Sequence, residues 1–271
     1  MEAKSALKRT LYEEYTSMFD PMVKECYAPD VSFSDPMISI SGVDAYKKNV
    51  DLLGSRNLLG KLLFKDAGIK LHSIEDDPED PYALTTRWTL QLCMKALPWQ
   101  PYARFSGVSR YRLNDRAQVL AQEDFWDSIN LANGEYVGQS PVVGIADFCA
   151  QLTVGAGPSF LPYDLLRRAG QYEIRRYPEG ALSTERCDAF EGALPVPPRT
   201  VAVLPVQPGL DGASASGAAR SGRSALQRDG LRATPGHYVL RTTVMDDFVL
   251  IGLEDEGAHV WPLEGLTFDD A

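Results

Sequence analysis

The hydrophobic period of this 271-residue chain changes once, near Gly60, and that change constrains the fold more than any other feature. Before Gly60, apolar residues recur every three or four positions, which is the spacing of amphipathic helices. After it, four segments alternate apolar and polar side chains as strands do. These segments are residues 63–74, 82–95, 104–113 and 118–127. Helices followed by consecutive strands predict an α+β fold with an antiparallel sheet.

Two helices are predicted ahead of the sheet. Residues 3–27 carry one apolar stripe, and Pro21 should bend or split the helix because proline cannot continue the hydrogen-bond ladder. A second helix should begin near Ser41, whose hydroxyl would cap its first turn. Its buried face would include Tyr46 and Val50.

The second half of the chain has a different organisation. Residues 153–163 hold Gly and Pro without periodicity, so we predict a linker there between domains 1–152 and 164–271. Residues 208–224 are rich in Gly, Ala and Ser and predict a mobile loop, followed by the end of a short helix. Strands are predicted at residues 172–185, 200–206, 237–244, 248–253 and 259–262.

Charge and composition exclude several classes of function. The chain has 37 acidic and 27 basic residues, a net charge of −10, which disfavours binding to nucleic acid or to an anionic membrane surface. No apolar run approaches the ~18 residues that a transmembrane helix needs. The four cysteines are far apart and form no C-x-x-C pair, so we expect neither a zinc site nor a redox pair, but reduced thiols.

Six short motifs follow one another in residues 7–152. They are Phe33-Ser-Asp-Pro36, Tyr46-Lys-Lys-Asn49, Arg87-Trp-Thr-Leu90, Leu97-Pro-Trp-Gln-Pro101, Gly107-Val-Ser-Arg-Tyr111 and Glu123-Asp-Phe-Trp-Asp127. In these motifs the segment resembles a plant and algal domain of unknown function with a nuclear-transport-factor-2-like (NTF2-like) fold. The resemblance implies a cone-shaped α+β domain in which helices pack on a curved sheet.

Three later segments resemble parts of a SOUL haem-binding domain, to which that NTF2-like domain is often fused. They are residues 171–177 (QYEIRRY), 199–203 (RTVAV) and 226–231 (LQRDGL). The central Lys-Ile-x-Met-Thr-x-Pro segment of SOUL domains is missing, so the resemblance implies a shortened, β-rich version. It also implies a chloroplast location and haem as a possible cofactor.

A cone-shaped domain encloses a pocket between its sheet and its helices, where small ligands bind. The candidate pocket residues are Tyr46, Arg87, Trp88, Phe105, Tyr111 and Trp126. If the domain is a small isomerase-like or dehydratase-like enzyme, Asp35 is the candidate base, with Tyr46 or Tyr111 as hydrogen-bond donor. The alternative is that Asp35 caps a turn and the aromatic residues only fill the core.

Haem, if it binds, would use a ligand such as His237 or His259, both in the segment that resembles SOUL. The alternative is that both are structural or surface histidines. No phosphate-binding loop, dinucleotide fingerprint or zinc-protease motif occurs. The acidic residues 75–80 lack the spacing of a calcium loop, which favours a solvated turn over a metal site.

Three functions remain open. The first is noncatalytic binding of a tetrapyrrole or another small hydrophobic ligand. The second is an interaction or scaffold subunit of a larger organellar assembly, with a homodimer as a fold-level expectation. The third is a small enzyme in the N-terminal cone with Asp35 as base.

Overall fold

A computed structural model describes residues 2–153, 161–182, 187–190, 192, 199–206, 211–241 and 247–253. The described residues fall into two compact units. The first unit comprises residues 2–129 and 138–153, and the second comprises residues 130–137 together with the described residues from 161 onward. No described helix is long and apolar enough to cross a membrane.

The first unit is an α+β arrangement built on a six-stranded sheet. Its helices are α1 (Glu2–Thr16), α2 (Val43–Leu53), α3 (Leu58–Leu63), a short α4 (Asp127–Asn130) and α5 (Pro141–Thr153). Its strands are β1 (Tyr27–Ser34), β2 (Ser39–Ser41), β3 (Phe64–Asp76), β4 (Ala83–Met94), β5 (Tyr102–Leu113) and β6 (Val119–Trp126). The strand order is β2-β1-β6-β5-β4-β3.

The four strands predicted from the period-two pattern are confirmed as β3, β4, β5 and β6, and they pair antiparallel in sequence order. The pairing of β1 with β6 is parallel and was not predicted. This long-range pairing joins the beginning of the domain to its last large strand. Mixed α+β architecture with an antiparallel main sheet is therefore confirmed for this unit.

The first helix is shorter than the predicted 3–27. It ends at Thr16, and the backbone at Met18 and Phe19 takes positive φ angles of 54° and 58°, which turn the chain out of the helix before Pro21 is reached. A single 3₁₀ turn, Lys24–Cys26, is all that follows of the predicted helix. The prediction was wrong about where the break falls, because the turn at Met18 precedes the proline.

The predicted N-cap of the second helix is also corrected. Ser41 is the last residue of β2 and pairs with Ser32 of β1, so its backbone belongs to the sheet. Gly42 occupies the N-cap position instead, with a φ of 92° that favours glycine. Helices α3 and α5 were not predicted; Asn57 caps α3 by accepting a hydrogen bond from the Gly60 N–H.

The core of the first unit lies between the sheet and the helices. Leu7, Leu11 and Tyr15 of α1 are buried in it, as the apolar stripe predicted. Helix α1 lies against β3, and α2 lies against β1 and β2. At Gly107 of β5 a Cβ would lie 2.0 Å from the Phe125 carbonyl oxygen, so only glycine allows β5 and β6 to approach this closely.

The second unit holds a separate six-stranded sheet and one long helix. Its elements are β7 (Leu131–Ala132), β8 (Glu135–Tyr136), β9 (Asp164–Arg168), β10 (Glu173–Arg176), β11 (Cys187–Phe190), β12 (Thr200–Val206), α6 (Gly212–Arg228), β13 (His237–Arg241) and β14 (Asp247–Gly252). The main sheet has the order β11-β13-β14-β12-β10-β9, and its described pairings are antiparallel. Strands β7 and β8 form a hairpin of their own.

The predicted mobile loop at 208–224 is wrong over residues 212–224, which belong to α6. The Asp211 carboxylate caps this helix by accepting a hydrogen bond from the Ser214 N–H at 2.8 Å. Its small residues Ala215, Ala219 and Gly222 are buried against the sheet. Tertiary packing therefore stabilises a helix that Gly and Ser disfavour on their own.

The other predictions for the second half have mixed outcomes. The strand at 200–206 is confirmed as β12, shorter strands β10 and β13 lie within the predicted segments 172–185 and 237–244, and β14 begins and ends one residue before the predicted 248–253. The strand at 259–262 lies outside the described residues, as does most of the predicted linker. A SOUL-like identity for this unit remains a prediction.

Candidate functional site

Helices α1 and α2, the segment that follows α1 and the sheet line a cavity of about 60 Å³ that is partly open to solvent, which we call the central cavity. Its aromatic and aliphatic lining consists of Tyr15, Met18, Phe19, Phe33, Tyr46, Val50, Leu53, Ile69, Trp88 and Leu90. Its polar lining consists of Asn49, Gln122 and Asp124. Since a void of about 150 Å³ holds benzene, the cavity in this conformation admits a guest of only a few heavy atoms.

A chain of hydrogen bonds orients the one carboxyl group of the cavity. The Tyr46 hydroxyl on α2 donates to Gln122 Oε1 at 2.5 Å, which fixes the amide of Gln122 on β6. Gln122 Nε2 in turn donates to Asp124 Oδ1 at 2.9 Å. Residues 122 and 124 face the same side of β6 because side chains alternate along a strand. The carboxyl is therefore held against the cavity wall by a second residue of its own strand.

The Ser109 hydroxyl on β5 is a second anchor of the same network. It accepts hydrogen bonds from Trp88 Nε1 at 2.8 Å and from Gln122 Nε2 at 3.4 Å, and it is also hydrogen-bonded to Asp124. Tyr15 on α1 reaches Ser109 at 3.1 Å. Neutral groups from β4, β6 and α1 thus converge on the buried Ser109 of β5, and this network makes the wall of the cavity rigid.

Tyr15 extends the network behind the cavity. Its hydroxyl lies 2.8 Å from the Tyr111 hydroxyl and 3.0 Å from Thr86 Oγ1. Burial raises the pKa of both phenols above their ordinary value. They therefore stay neutral at physiological pH and contribute only hydrogen bonds.

The acidity of Asp124 is shifted toward neutral pH. The pKa of its carboxyl is raised to about 7, and burial is the largest cause. Hydrogen bonds from Ser109 and Gln122 lower this pKa, and the negative charges of Asp35 and Glu123 raise it. A carboxyl with this pKa is partly protonated at pH 7. It donates a hydrogen bond when neutral, pairs with a cation when ionised, and has the acidity that general acid–base chemistry requires.

Another carboxyl with a raised pKa, that of Glu14 on α1, is fully buried and lies outside the cavity. It is 1% exposed and accepts hydrogen bonds from the Val23 N–H and the Tyr27 hydroxyl, both at 2.6 Å. Burial raises its pKa to about 7. Glu14 ties the segment after α1, which carries the lining residues Met18 and Phe19, back to the helix and to β1.

Asp35, the candidate base, is placed at a turn. Its Oδ1 accepts hydrogen bonds from the Met37 and Ile38 N–H groups, both at 2.7 Å, between β1 and β2. Burial raises the pKa of this carboxyl, but Asp35 does not line the central cavity. The geometry is that of a turn cap, and the carboxyl that faces the cavity is Asp124.

The six candidate pocket residues are not brought together. Tyr46 and Trp88 line the central cavity, and Tyr111 belongs to the hydrogen-bond network behind it. Phe105 and Trp126 contact each other elsewhere in the core, with ring centroids 4.3 Å apart, and Phe105 also stacks on Phe148 of α5.

Arg87 has a structural position away from the cavity. It alternates with the inward-facing Trp88 along β4, so its side chain lies on the opposite face of the sheet. There its Nη1 pairs with Asp127 Oδ2 at 3.0 Å, and Ser106 Oγ donates to the same oxygen at 2.6 Å. The pair is nearly fully buried, so each charge compensates the other.

Of the two histidines considered as haem ligands, the structure describes His237, and its surroundings leave no room for a haem beside the ring. His237 begins β13, is fully buried and stacks parallel to Phe190 with centroids 5.3 Å apart. An iron atom would reach its ring only if this packing opened. The central cavity is too small for a tetrapyrrole. His259 lies outside the described residues.

A larger cleft of about 530 Å³ runs along the start of α1 and the turns before β4 and β6. Its charges compensate one another: Lys4 and Lys8 both pair with Asp76, and Lys4 Nζ also donates to the Pro81 and Ala83 carbonyls. Across the described ranges, no three His, Cys, Asp or Glu side chains gather as a metal site. The cleft therefore offers a ligand less than the central cavity does.

Sequence reasoning missed Asp124, Gln122 and Tyr15 as site residues. Asp124 lies inside the motif Glu123-Asp-Phe-Trp-Asp127. Its position along the predicted strand was the available clue, because residues 122, 124 and 126 share one face of that strand. Because Trp126 was a candidate pocket residue, the same face should have included Asp124.

The family comparison concerns the first unit. Residues 5–122 match the model of a family described as an uncharacterized conserved protein, DUF2358. The match spans α1 to Gln122 and ends two residues before Asp124. No curated protein matches the chain.

Several solved structures are similar at low identity. A Mycobacterium tuberculosis LEH-like epoxide hydrolase is 13% identical with a TM-score of 0.37, over 56% of this chain and 92% of that one. An NTF2-like protein of unknown function from Exiguobacterium sp. 255-15 is 16% identical with a TM-score of 0.33, over 44% and 98%. An M. tuberculosis protein in complex with estradiol-17beta-hemisuccinate is 11% identical with a TM-score of 0.35, over 46% and 93%.

The family match is the informative comparison, because the similarity to the solved structures is low in both sequence and fold. It covers five of the six motifs that resemble a domain of unknown function, ends just before the sixth at residues 123–127, and does not extend into the second unit. Residues 5–122 are therefore similar to a conserved family whose function is uncharacterized.

Proposed function

We propose that the central cavity binds a small, largely apolar ligand that carries one polar group, and that it does so without catalysing a reaction. The observation that carries this proposal is the Asp124 carboxyl, the one ionisable acid in a lining made mostly of aromatic and aliphatic side chains. A few convergent polar groups in an apolar cavity are what small-molecule sites use to fix orientation.

The hydrogen-bond relay supports binding rather than simple core packing. Even a partly buried carboxyl such as Asp124 costs stability when it is ionised, because ionised groups are poorly solvated inside a protein. Here Tyr46 and Gln122 position that carboxyl at a cavity instead of covering it with a basic partner. Ligand binding gives a reason for keeping a destabilising group at this position.

The size of the cavity selects among the hydrophobic ligands considered from the sequence. A volume of about 60 Å³ favours a compact molecule over a tetrapyrrole. A larger guest would extend past the half-buried lining residues Met18 and Leu53 or displace them.

The proposal is tested by filling the cavity. Isobutanol and isobutylamine serve as probes, and binding is followed by the methyl NMR signals of the full-length protein. Leu90→Phe should weaken probe binding at least tenfold, because the larger ring occupies the cavity. Leu120→Phe is the matched control: the same change on β6, which β5 separates from β4, at a side chain 38% exposed.

Two results would contradict binding at the central cavity. One is saturable binding that Leu90→Phe leaves unchanged, which would place the probes elsewhere. The other is the absence of saturable binding to the wild-type protein by either probe.

A second function, as an interaction subunit, is favoured by the exposed leucines of α3. Leu58 is 88%, Leu59 54% and Leu62 64% exposed on a helix of six residues. Apolar side chains grouped in this way on a surface mark protein contacts. We infer that this face associates with a second copy of the chain.

Sedimentation equilibrium tests the association. Replacing both Leu58 and Leu62 by Glu should weaken self-association at least tenfold, because charged side chains are poorly accommodated in an apolar interface. Lys48→Glu, an exposed change on α2, is the control. A wild-type protein that stays monomeric at high concentration would rule out this role for α3.

A further inference from the structure

We propose that the ligand of the central cavity is a small organic cation, a protonated alkylamine whose nitrogen lies against the Asp124 carboxylate. This inference rests on the proposed binding function and names the chemical class of its ligand. It is argued from the charges around Asp124, from the groups that contact it, and from the rest of the lining.

The charge of the cavity is one-sided. Its lining includes the Asp124 carboxyl but no Lys, Arg or His side chain. Asp35 at the β1–β2 turn and Glu123 on β6 add to the negative potential at Asp124. A concave site lined by one sign of charge attracts ligands of the opposite sign.

The groups packed against Asp124 do not neutralise that charge. Ser109 of β5 and Gln122 of β6 offer neutral hydrogen bonds. From the helices, Tyr15 and Tyr46 feel the Asp124 charge, and burial keeps the pKa of both phenols above its ordinary value. Among the described residues, the groups that contact the carboxylate stabilise it by neutral dipoles, and a cation is the missing complement.

The remaining lining suits an alkylammonium ion. Tyr15, Phe19, Phe33, Tyr46 and Trp88 supply aromatic rings, which attract cations over their faces. Val50 and Leu90 supply aliphatic surface for the alkyl part. A neutral alcohol would use the same apolar surface without the ionic attraction, and a carboxylate ligand would be repelled.

Three probes of nearly equal shape separate these cases. Isobutylamine, isobutanol and isobutyrate are titrated into the full-length protein by calorimetry at pH 7.5. Amines titrate near pH 10, so isobutylamine is a cation at this pH. We expect it to bind at least tenfold more tightly than isobutanol and expect no saturable binding of isobutyrate.

Two variants test whether the Asp124 carboxyl causes the preference for the amine over the alcohol. Asp124→Asn should abolish the preference for the amine and leave isobutanol affinity within about threefold of wild type, because the shape is conserved. Asp30→Asn makes the same change at an exposed position of β1, next to β6, and should leave the preference intact. Circular dichroism and thermal unfolding confirm that each variant is folded.

The pH dependence is a further readout. Below pH 7 the empty site holds a proton on Asp124 that a cation must displace. The affinity for isobutylamine should therefore fall about tenfold per pH unit below 7 and level off above it, with a proton released at pH 6. Calorimetry in two buffers of different ionisation enthalpy measures that proton.

The outcomes distinguish this inference from the proposed function. If isobutanol binds as tightly as isobutylamine, or if Asp124→Asn keeps the preference for the amine, the cavity still binds ligands. The inference that Asp124 selects a cationic ligand is then contradicted. If none of the probes binds, the proposed function fails and this inference fails with it.

Discussion

Asp124 makes the stability of the protein depend on pH, because its carboxyl binds a proton more tightly in the folded protein than in the unfolded chain. Burial raises its pKa to about 7 in the folded state, whereas an unfolded aspartate titrates near pH 3.9. Between these two pH values the unfolded chain has released a proton that the folded protein still holds. Its contribution to the free energy of unfolding is therefore greatest below about pH 4 and is lost as the pH rises toward 7.

Asp124→Asn should remove this pH dependence. At pH 4 its free energy of unfolding should be close to wild type, since asparagine resembles the protonated acid. At pH 8 the variant should be more stable, by at most about 4 kcal/mol, the equivalent of three pKa units. Urea unfolding at both pH values measures the difference. A variant no more stable than wild type at pH 8 would mean that Asp124 ionises without penalty.

Glu14 also makes the protein less stable as the pH rises, so the Asp124→Asn variant should keep part of the pH dependence of stability. Its pKa is also raised to about 7 by burial. The slope of stability against pH between 4 and 7 should therefore decrease in Asp124→Asn without vanishing.

The role of Asp124 was hard to predict for a physical reason. In Glu123-Asp-Phe-Trp, each face of the strand carries one acid and one aromatic residue, so polarity alone does not show which face is buried. The answer depends on Gln122 and Tyr46, whose contact joins positions 76 apart in the sequence.

At the scale of elements, α6 shows how packing overrides composition. Gly222 faces the sheet, where a Cβ would lie 2.5 Å from Leu204 Cδ2 and 3.0 Å from Ile251 Cδ1. Gly217, on the same helix, is exposed, and a Cβ there would meet nothing within 4 Å. One glycine is required by the close approach, and the other is not.

Two glycine-to-alanine changes test this helix. Gly217→Ala should raise the free energy of unfolding by about 0.5–1 kcal/mol, because alanine favours a helix interior over glycine. Gly222→Ala should lower it by about 1–3 kcal/mol, because the Leu204 side chain must move. Chemical unfolding monitored by circular dichroism measures both.

Equal effects of the two substitutions would contradict the packing of α6. If residues 212–228 formed a loop, neither alanine would meet the sheet. The opposite signs are what distinguish a packed helix from the loop that the Gly, Ala and Ser content predicted.

Strands were easier to predict than helices in this chain. The segments that form β3 to β6 show a period of two in their sequence, and this period predicts strands even though residues 103–109 of β5 are buried on both faces. Helix α5 was not predicted because its sequence shows no amphipathic stripe. Its one fully buried residue is Gly144, and the apolar Val142 is 74% exposed.

At the scale of the whole molecule, the two units have separate hydrophobic cores. In the first unit, one core contains residues of the sheet, α1 and α2. In the second unit, one core lies between the sheet and α6, and another contains sheet residues but none of α6. The change of period near Gly60 predicts the first arrangement. The second depends on pairings such as β12 with β14, whose residues are about 50 positions apart, and local periodicity does not reveal them.

The most direct test of the binding site is the titration of the Asp124 carboxyl by carbon-13 NMR, with and without isobutylamine. We predict a midpoint near pH 7 in the free protein and a lower midpoint when the amine is bound. A midpoint near pH 4 that the amine leaves unchanged would contradict the account, because Asp124 would then be an ordinary solvated carboxyl with no ligand beside it.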